Sequence, residues 1–207
     1  MKKSALNVPN TLSLIRVVLV PVFVATLLFM RNIYIFGVVV PAVVYALTAF
    51  TDMLDGKIAR KYGLVTDFGK FIDPLADKFM VLGSMLAILA NMFLGKTWEA
   101  NQNDIILGLV FIWVVLIILF RELAVTSMRL VVAGNGVKVD LAANMFGKLK
   151  TVSQMVGTVV IIVEPIIPFF CENHILSYAC MAVMAFSTIV SGIIYFKGYL
   201  PYINTNK

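Results

Sequence analysis

Residues 51–78 read TDMLDGKIARKYGLVTDFGKFIDPLADK. Five of the eleven acidic residues of the chain, Asp52, Asp55, Asp67, Asp73 and Asp77, fall within these 28 positions. Apolar runs border the stretch on both sides, so its carboxylates stand next to segments that belong in hydrocarbon. An aspartate at the centre of a membrane span costs about 2.5–3.5 kcal/mol on insertion scales. Several kept together need a compensating partner, and divalent cations are the natural one. The spacing supports this. Asp52 and Asp55 are three residues apart and Asp73 and Asp77 four apart, so each pair shares one face of a helix. Two such helices facing each other present four carboxylates to a common point. Hard oxygen donors suit Mg²⁺ or Mn²⁺, and four of them can hold two ions in the arrangement that stabilises in-line phosphoryl displacement.

Outward from this stretch the chain is dominated by long apolar runs. Of its 207 residues, 61% are hydrophobic, against about 45–50% in a soluble domain. Runs at 11–30, 33–52, 69–94, 104–133, 144–167 and 175–199 are long enough to cross a bilayer, which takes about 20 apolar residues. The fourth is too long for one crossing and is expected to extend beyond the bilayer. Helices are required, because lipid offers no partners to backbone amides and carbonyls. The expected fold is therefore all-α: a single polytopic membrane domain over residues 1–207, with six transmembrane helices. The start, Met-Lys-Lys, looks like a signal peptide, but Asn10, Arg16 and Pro21 interrupt the apolar run after it. It is read as a retained first helix. Pro165 and Pro168 mark the end of the fifth helix, and Gly83 and Ala87 offer close helix packing in the third.

The net charge of +6 fits cytoplasmic loops and anionic lipid rather than nucleic acid. With the N-terminus inside, fifteen Lys and Arg residues fall on the inner side and only Arg31 and Lys96 on the outer. Both termini, and the polar connections after the second and fourth helices, are thus expected to face the cytoplasm of a cell-membrane protein. Cys171 and Cys180 form no metal pattern, and their spacing argues against a disulfide. The single histidine, His174, is given no role.

The acidic stretch also resembles the signature of the CDP-alcohol phosphotransferase family. That signature is D-x-x-D-G-x-x-A-R, eight residues, then G-x-x-x-D-x-x-x-D. Here it is carried by Asp52, Asp55, Gly56, Ala59, Arg60, Gly69, Asp73 and Asp77 with every spacing kept. One residue type matches by chance about once in 10–20 positions, so eight together are a specific signal. The resemblance implies that Asp52, Asp55 and Asp73 are metal ligands. It implies that Asp77 both ligates metal and takes the acceptor's hydroxyl proton. It places the cytidine diphosphate of the lipid substrate, CDP-diacylglycerol, against Gly56, Ala59, Arg60, Thr66 and Gly69. Asn10 and Thr11 are the matching polar candidates at the first helix, with helix capping the competing role for Asn10. Two metal ions and a homodimer are also implied by the resemblance. Asp67, outside the signature, is read as a solvated or capping carboxylate.

The acceptor alcohol is indicated elsewhere. The segments Asn7–Arg16, Arg121–Arg129 and Gly147–Thr151 resemble bacterial members of the family that add sn-glycerol 3-phosphate to CDP-diacylglycerol. Arg121, Arg129, Lys148 and Lys150 supply the positive charge that a dianionic phosphate needs, and Glu122 is placed to orient one of them. The competing acceptors are those of cardiolipin and phosphatidylinositol phosphate synthases. A divalent-cation transporter is the alternative from another class. It predicts acidic residues near mid-membrane on several helices, whereas the acids here gather toward one face.

Overall fold

The computed structural model describes residues 7–33, 35–62, 66–94, 102–134, 145–167 and 173–203. Cys171, Pro168 and the side chains of Gly56, Ala59 and Arg60 lie outside the described residues. The described residues form six long helices: α1 (Val8–Phe29), α2 (Phe36–Tyr62), α3 (Asp67–Leu94), α4 (Gln102–Gly134), α5 (Met145–Val163) and α6 (Ile175–Ile203). A short 3₁₀ turn, Glu164–Ile166, ends α5 at Pro165. No strand occurs among the described residues. All six helices are long and apolar enough to cross a membrane, and the protein is a multi-pass membrane protein.

The surface is inverted relative to a water-soluble domain. Trp113, Phe120, Phe186 and Phe29 point outward, while Arg16, Asn10, Gln154 and Glu164 are among the largest fully buried side chains. Buried small polar residues tie helices together, as expected where hydrocarbon competes for none of their hydrogen bonds. Ser153 and Ser187 hydroxyls lie 2.8 Å apart across α5 and α6, and the Gln154 amide donates to Thr188 over 3.2 Å. The apolar centre holds Phe23, Tyr45, Met80, Phe111, Ile118 and Met184.

Two triads of helices pack side by side. In the first, α2 and α3 both pack extensively on α1, which lies between them; in the second, α4 and α5 both pack on α6. The triads meet through α3 with α4 and through α2 and α3 with α5. Gly83 serves close packing as expected, since a Cβ there would sit 3.0 Å from Val20 of α1.

Two expectations need correction. The second helix does not stop near residue 52 but runs on to Tyr62. Leu, Lys, Arg, Ala and Ile are good or tolerable helix formers, and a helix leaving the bilayer needs no apolar run to continue. The connection to α3 is therefore short, residues 63–66, not a long polar loop. Nor do α2 and α3 face each other directly, because α1 intervenes.

Candidate active site

The buried face of α1 changes character along its length. Asn10, Ser13 and Arg16, three residues apart, are buried at one end, and Val20, Phe23 and Leu27 continue that face as core. The polar part lies between the two aspartate pairs. The Arg16 guanidinium, fully buried, bonds carboxylates from both neighbours: Asp52 through Nη1 at 2.9 Å, Asp55 through Nη2, and Asp77 through Nη1. The Ser13 hydroxyl is placed against Asp73 and, at 3.5 Å, against Asp55. All four signature aspartates thus gather around α1. They do so about a guanidinium and a hydroxyl: among the described residues, no three acidic, histidine or cysteine side chains are arranged to hold a metal ion.

The four carboxylates are not equally accessible. Asp55 retains 10% of its side-chain exposure, Asp52 24% and Asp77 53%. Asp77 is therefore the most exposed member of the set. Its backbone follows Pro74, which lacks the amide that would bond the Lys70 carbonyl one turn earlier.

Thr66, just before α3, accepts the Gly69 amide at 3.0 Å, satisfying one of the free N–H groups at that helix end. It also accepts a 2.8 Å hydrogen bond from the Asn10 side-chain amide. Gly69 leaves room for this contact, because a Cβ there would fall 2.6 Å from Asn10 Oδ1 and displace that side chain. Asn10, Thr66 and Gly69 are thus brought together. Asn10 does not cap its own helix, since Asn7 holds the N-cap position of α1. Thr11 is exposed and does not join them. Asp67 is a solvated carboxylate, 98% exposed, paired with Lys70 at 2.8 Å.

The cationic residues divide in the same way. Glu122 bonds both Arg121, at 3.0 Å, and Lys150. Arg121 also donates to the Ser191 hydroxyl at 2.7 Å and lies over the Tyr195 ring, 5.2 Å from its centroid. Lys150 is buried, whereas Arg129 and Lys148 are exposed and make no hydrogen bond or ion pair among the described residues. Lys78, beside Asp77, reaches α4 and donates to Thr126 at 2.6 Å; Thr126 in turn donates to the Glu122 carbonyl at 2.7 Å. This chain of bonds sets the cationic group next to the acidic one at the same end of the bundle.

Ser13, Arg16, Lys78 and Ser191 join the site although no motif read from the sequence gives them a role there. The three-residue polar repeat Asn10, Ser13, Arg16 inside an apolar run is the signal that could have found the first two. Lys78 and Ser191 carry no comparable pattern.

On this membrane bundle, clustered aspartates from two helices and a cationic group beside them form a site that can hold cations and anionic groups side by side. The family model for CDP-alcohol phosphatidyltransferase matches residues 6–191, and the chain belongs to that family. It is 34% identical over 200 residues to the CDP-diacylglycerol–glycerol-3-phosphate 3-phosphatidyltransferase of Bacillus subtilis (strain 168), covering 92% of this chain and 94% of that one. It is 35% identical over 189 residues to a probable phosphatidylglycerophosphate synthase of Mycobacterium tuberculosis (strain H37Rv), covering 91% and 79%. A third relative, the CDP-diacylglycerol–glycerol-3-phosphate 3-phosphatidyltransferase of Pseudomonas fluorescens, is 29% identical over 202 residues, covering 97% and 94%.

Proposed function

We propose that this enzyme transfers the phosphatidyl group of CDP-diacylglycerol to sn-glycerol 3-phosphate, releasing CMP. The observation that carries the reading is the pairing of two clusters with opposite surplus charge at one end of the bundle, joined through Lys78 and Thr126. The names of relatives similar over most of the chain support it.

Asp52, Asp55, Asp73 and Asp77 would hold divalent metal. The donor set fits: it is all oxygen, it carries more negative charge than Arg16 offsets, and it already encloses a cation. Bound Mg²⁺ or Mn²⁺, two ions in this reading, supplies neutralisation of the diphosphate charge. The remaining chemistry belongs to the chain. Arg121 and Lys150, held by Glu122, bind the acceptor's phosphate and orient its hydroxyl. Asp77, half-exposed, takes the hydroxyl proton. The acceptor oxygen bonds to the lipid-linked phosphorus, the bond from that phosphorus to the bridging oxygen breaks, and CMP leaves with the electron pair. Asn10, Thr66 and Gly69 line the place of the nucleotide, where α1 and the start of α3 approach closely.

The same reading has the site facing the cytoplasm of the cell membrane and the protein assembling as a homodimer. The fifteen-to-two distribution of Lys and Arg supports the orientation. Purified protein supplied with CDP-diacylglycerol, labelled sn-glycerol 3-phosphate and Mg²⁺ is expected to form labelled phosphatidylglycerophosphate, and chelator is expected to stop it. Turnover with phosphatidylglycerol or an inositol phosphate instead would reassign the acceptor. Full turnover in chelator would remove the metal from the reading.

A further inference from the structure

We propose that Arg16 is a resident counter-cation of the aspartate cluster. Its guanidinium holds Asp52, Asp55 and Asp77 together while no divalent ion is bound, and gives way when metal binds. This rests on the reading of those aspartates as metal ligands.

Arg16 is fully buried, on the face of α1 that lies between α2 and α3. Its two terminal nitrogens are shared among three carboxylates from those two helices. A single guanidinium serving three carboxylates engages oxygen atoms that a metal ion would need: Asp52 Oδ1, Asp55 Oδ2 and Asp77 Oδ1. Arginine and metal therefore compete for the same lone pairs.

Two features show that the arginine is an incomplete solution. Its Nε is buried without a hydrogen-bond partner among the described residues, which is costly for a donor removed from water. Among the described residues the charge is also unbalanced, with the Arg16 guanidinium as the one cation paired within the set of four carboxylates Asp52, Asp55, Asp73 and Asp77. A residual negative field remains to attract further cations. Without Arg16, in turn, Asp52, Asp55 and Asp77 would lose the guanidinium they share, and their mutual repulsion would rise. The arginine thus suits the metal-free state and opposes the metal-bound one.

The test compares full-length wild type, Arg16→Gln and Arg16→Lys in detergent after chelation. Mn²⁺ binding is followed by the electron paramagnetic resonance of the free ion, and thermal unfolding is measured with and without Mn²⁺. Arg16→Gln is expected to bind Mn²⁺ at least about tenfold more tightly than wild type, a difference of about 1.4 kcal/mol. Its metal-free form is expected to unfold at a lower temperature than wild type, and saturating Mn²⁺ to narrow that gap. Arg16→Lys keeps the charge but not the fork that spans several carboxylates, so its affinity should fall between the two. A purely structural role would lower stability without raising metal affinity. Equal or weaker Mn²⁺ binding by Arg16→Gln overturns the proposal. If Arg16→Gln does not fold, Arg16→Lys decides by the same comparison. Absence of Mn²⁺ binding by wild type itself would instead refute the reading of the aspartates as ligands.

Discussion

The two charged clusters at one end of the bundle are built on one plan with the signs reversed. Around α1, one buried cation, Arg16, stands among acids from α2 and α3. Beside α6, one acid, Glu122, stands among cations from α4 and α5. In each, the minority charge gathers the majority charges and leaves them in surplus. In the proposed reading the surplus of carboxylate receives cations and the surplus of guanidinium and ammonium receives phosphate. Buried charges with no partner are expensive, so the lone opposite charge lets each site exist before its ligand arrives. The difference between the clusters is the sign of what remains to be bound.

Changing the acidic side should produce the largest effect. Asp77→Asn keeps the shape of the side chain but removes its charge and basicity. Loss of a general base alone slows turnover by about 10²–10⁴. The variant is expected to insert, to bind CDP-diacylglycerol at saturating metal, and to turn over at least a hundredfold more slowly, about the lower end of that range. Turnover near that of wild type would take the base role away from Asp77.

On the cationic side the effect should be smaller and confined to one substrate. Arg121→Ala and Lys150→Ala each leave Glu122 without one of its partners, and truncating one member of a buried charged pair typically costs about 2–5 kcal/mol. Their KM for sn-glycerol 3-phosphate should rise more than tenfold, taking about 1.4 kcal/mol per decade, with KM for CDP-diacylglycerol nearly unchanged. Lys148→Ala and Arg129→Ala alter exposed residues that make no ion pair among the described residues, and should shift the same KM only a few-fold. A defect in the nucleotide substrate instead would move Arg121 and Lys150 to the other pocket. A large effect at Lys148 would mean that exposure is a poor guide to this pocket.

The smallest effect is expected at Asp67, the acid of the signature stretch that joins neither cluster. Asp67→Asn removes only a solvent-exposed pair with Lys70, and surface pairs contribute little. Initial rates at several substrate concentrations should match wild type, and a clear loss would show a role that proximity does not.

The residues legible in the sequence were those with a local pattern. The aspartate spacing stood out because Asp52, Asp55, Asp73 and Asp77 are close in the chain, and the six helices because apolar length alone implies a crossing. The far end of α2 was missed because DGKIARKY has no apolar run and hydropathy is silent on helices outside lipid. Arg16 was read as one more inner positive charge. Its carboxylate partners lie 36 to 61 positions away in the chain, and only packing of α1 between α2 and α3 joins them. The split of the cationic group was equally hidden, because Arg121 and Arg129 look alike until α6 covers one of them with Ser191 and Tyr195.

At the opposite end of the bundle, the buried Glu164 accepts the backbone amides of Leu176, at 2.9 Å, and Ser177, at 3.2 Å, fastening the end of α5 to the start of α6. His174, at φ 51°, places its Nε2 2.6 Å from Asp104 in the first turn of α4. Three helices are therefore pinned at the end remote from the chemistry. Arg121 and Glu122 of α4 and Lys150 of α5 lie toward the other ends of these helices, so the spacing of that charged group is anchored from contacts well outside it.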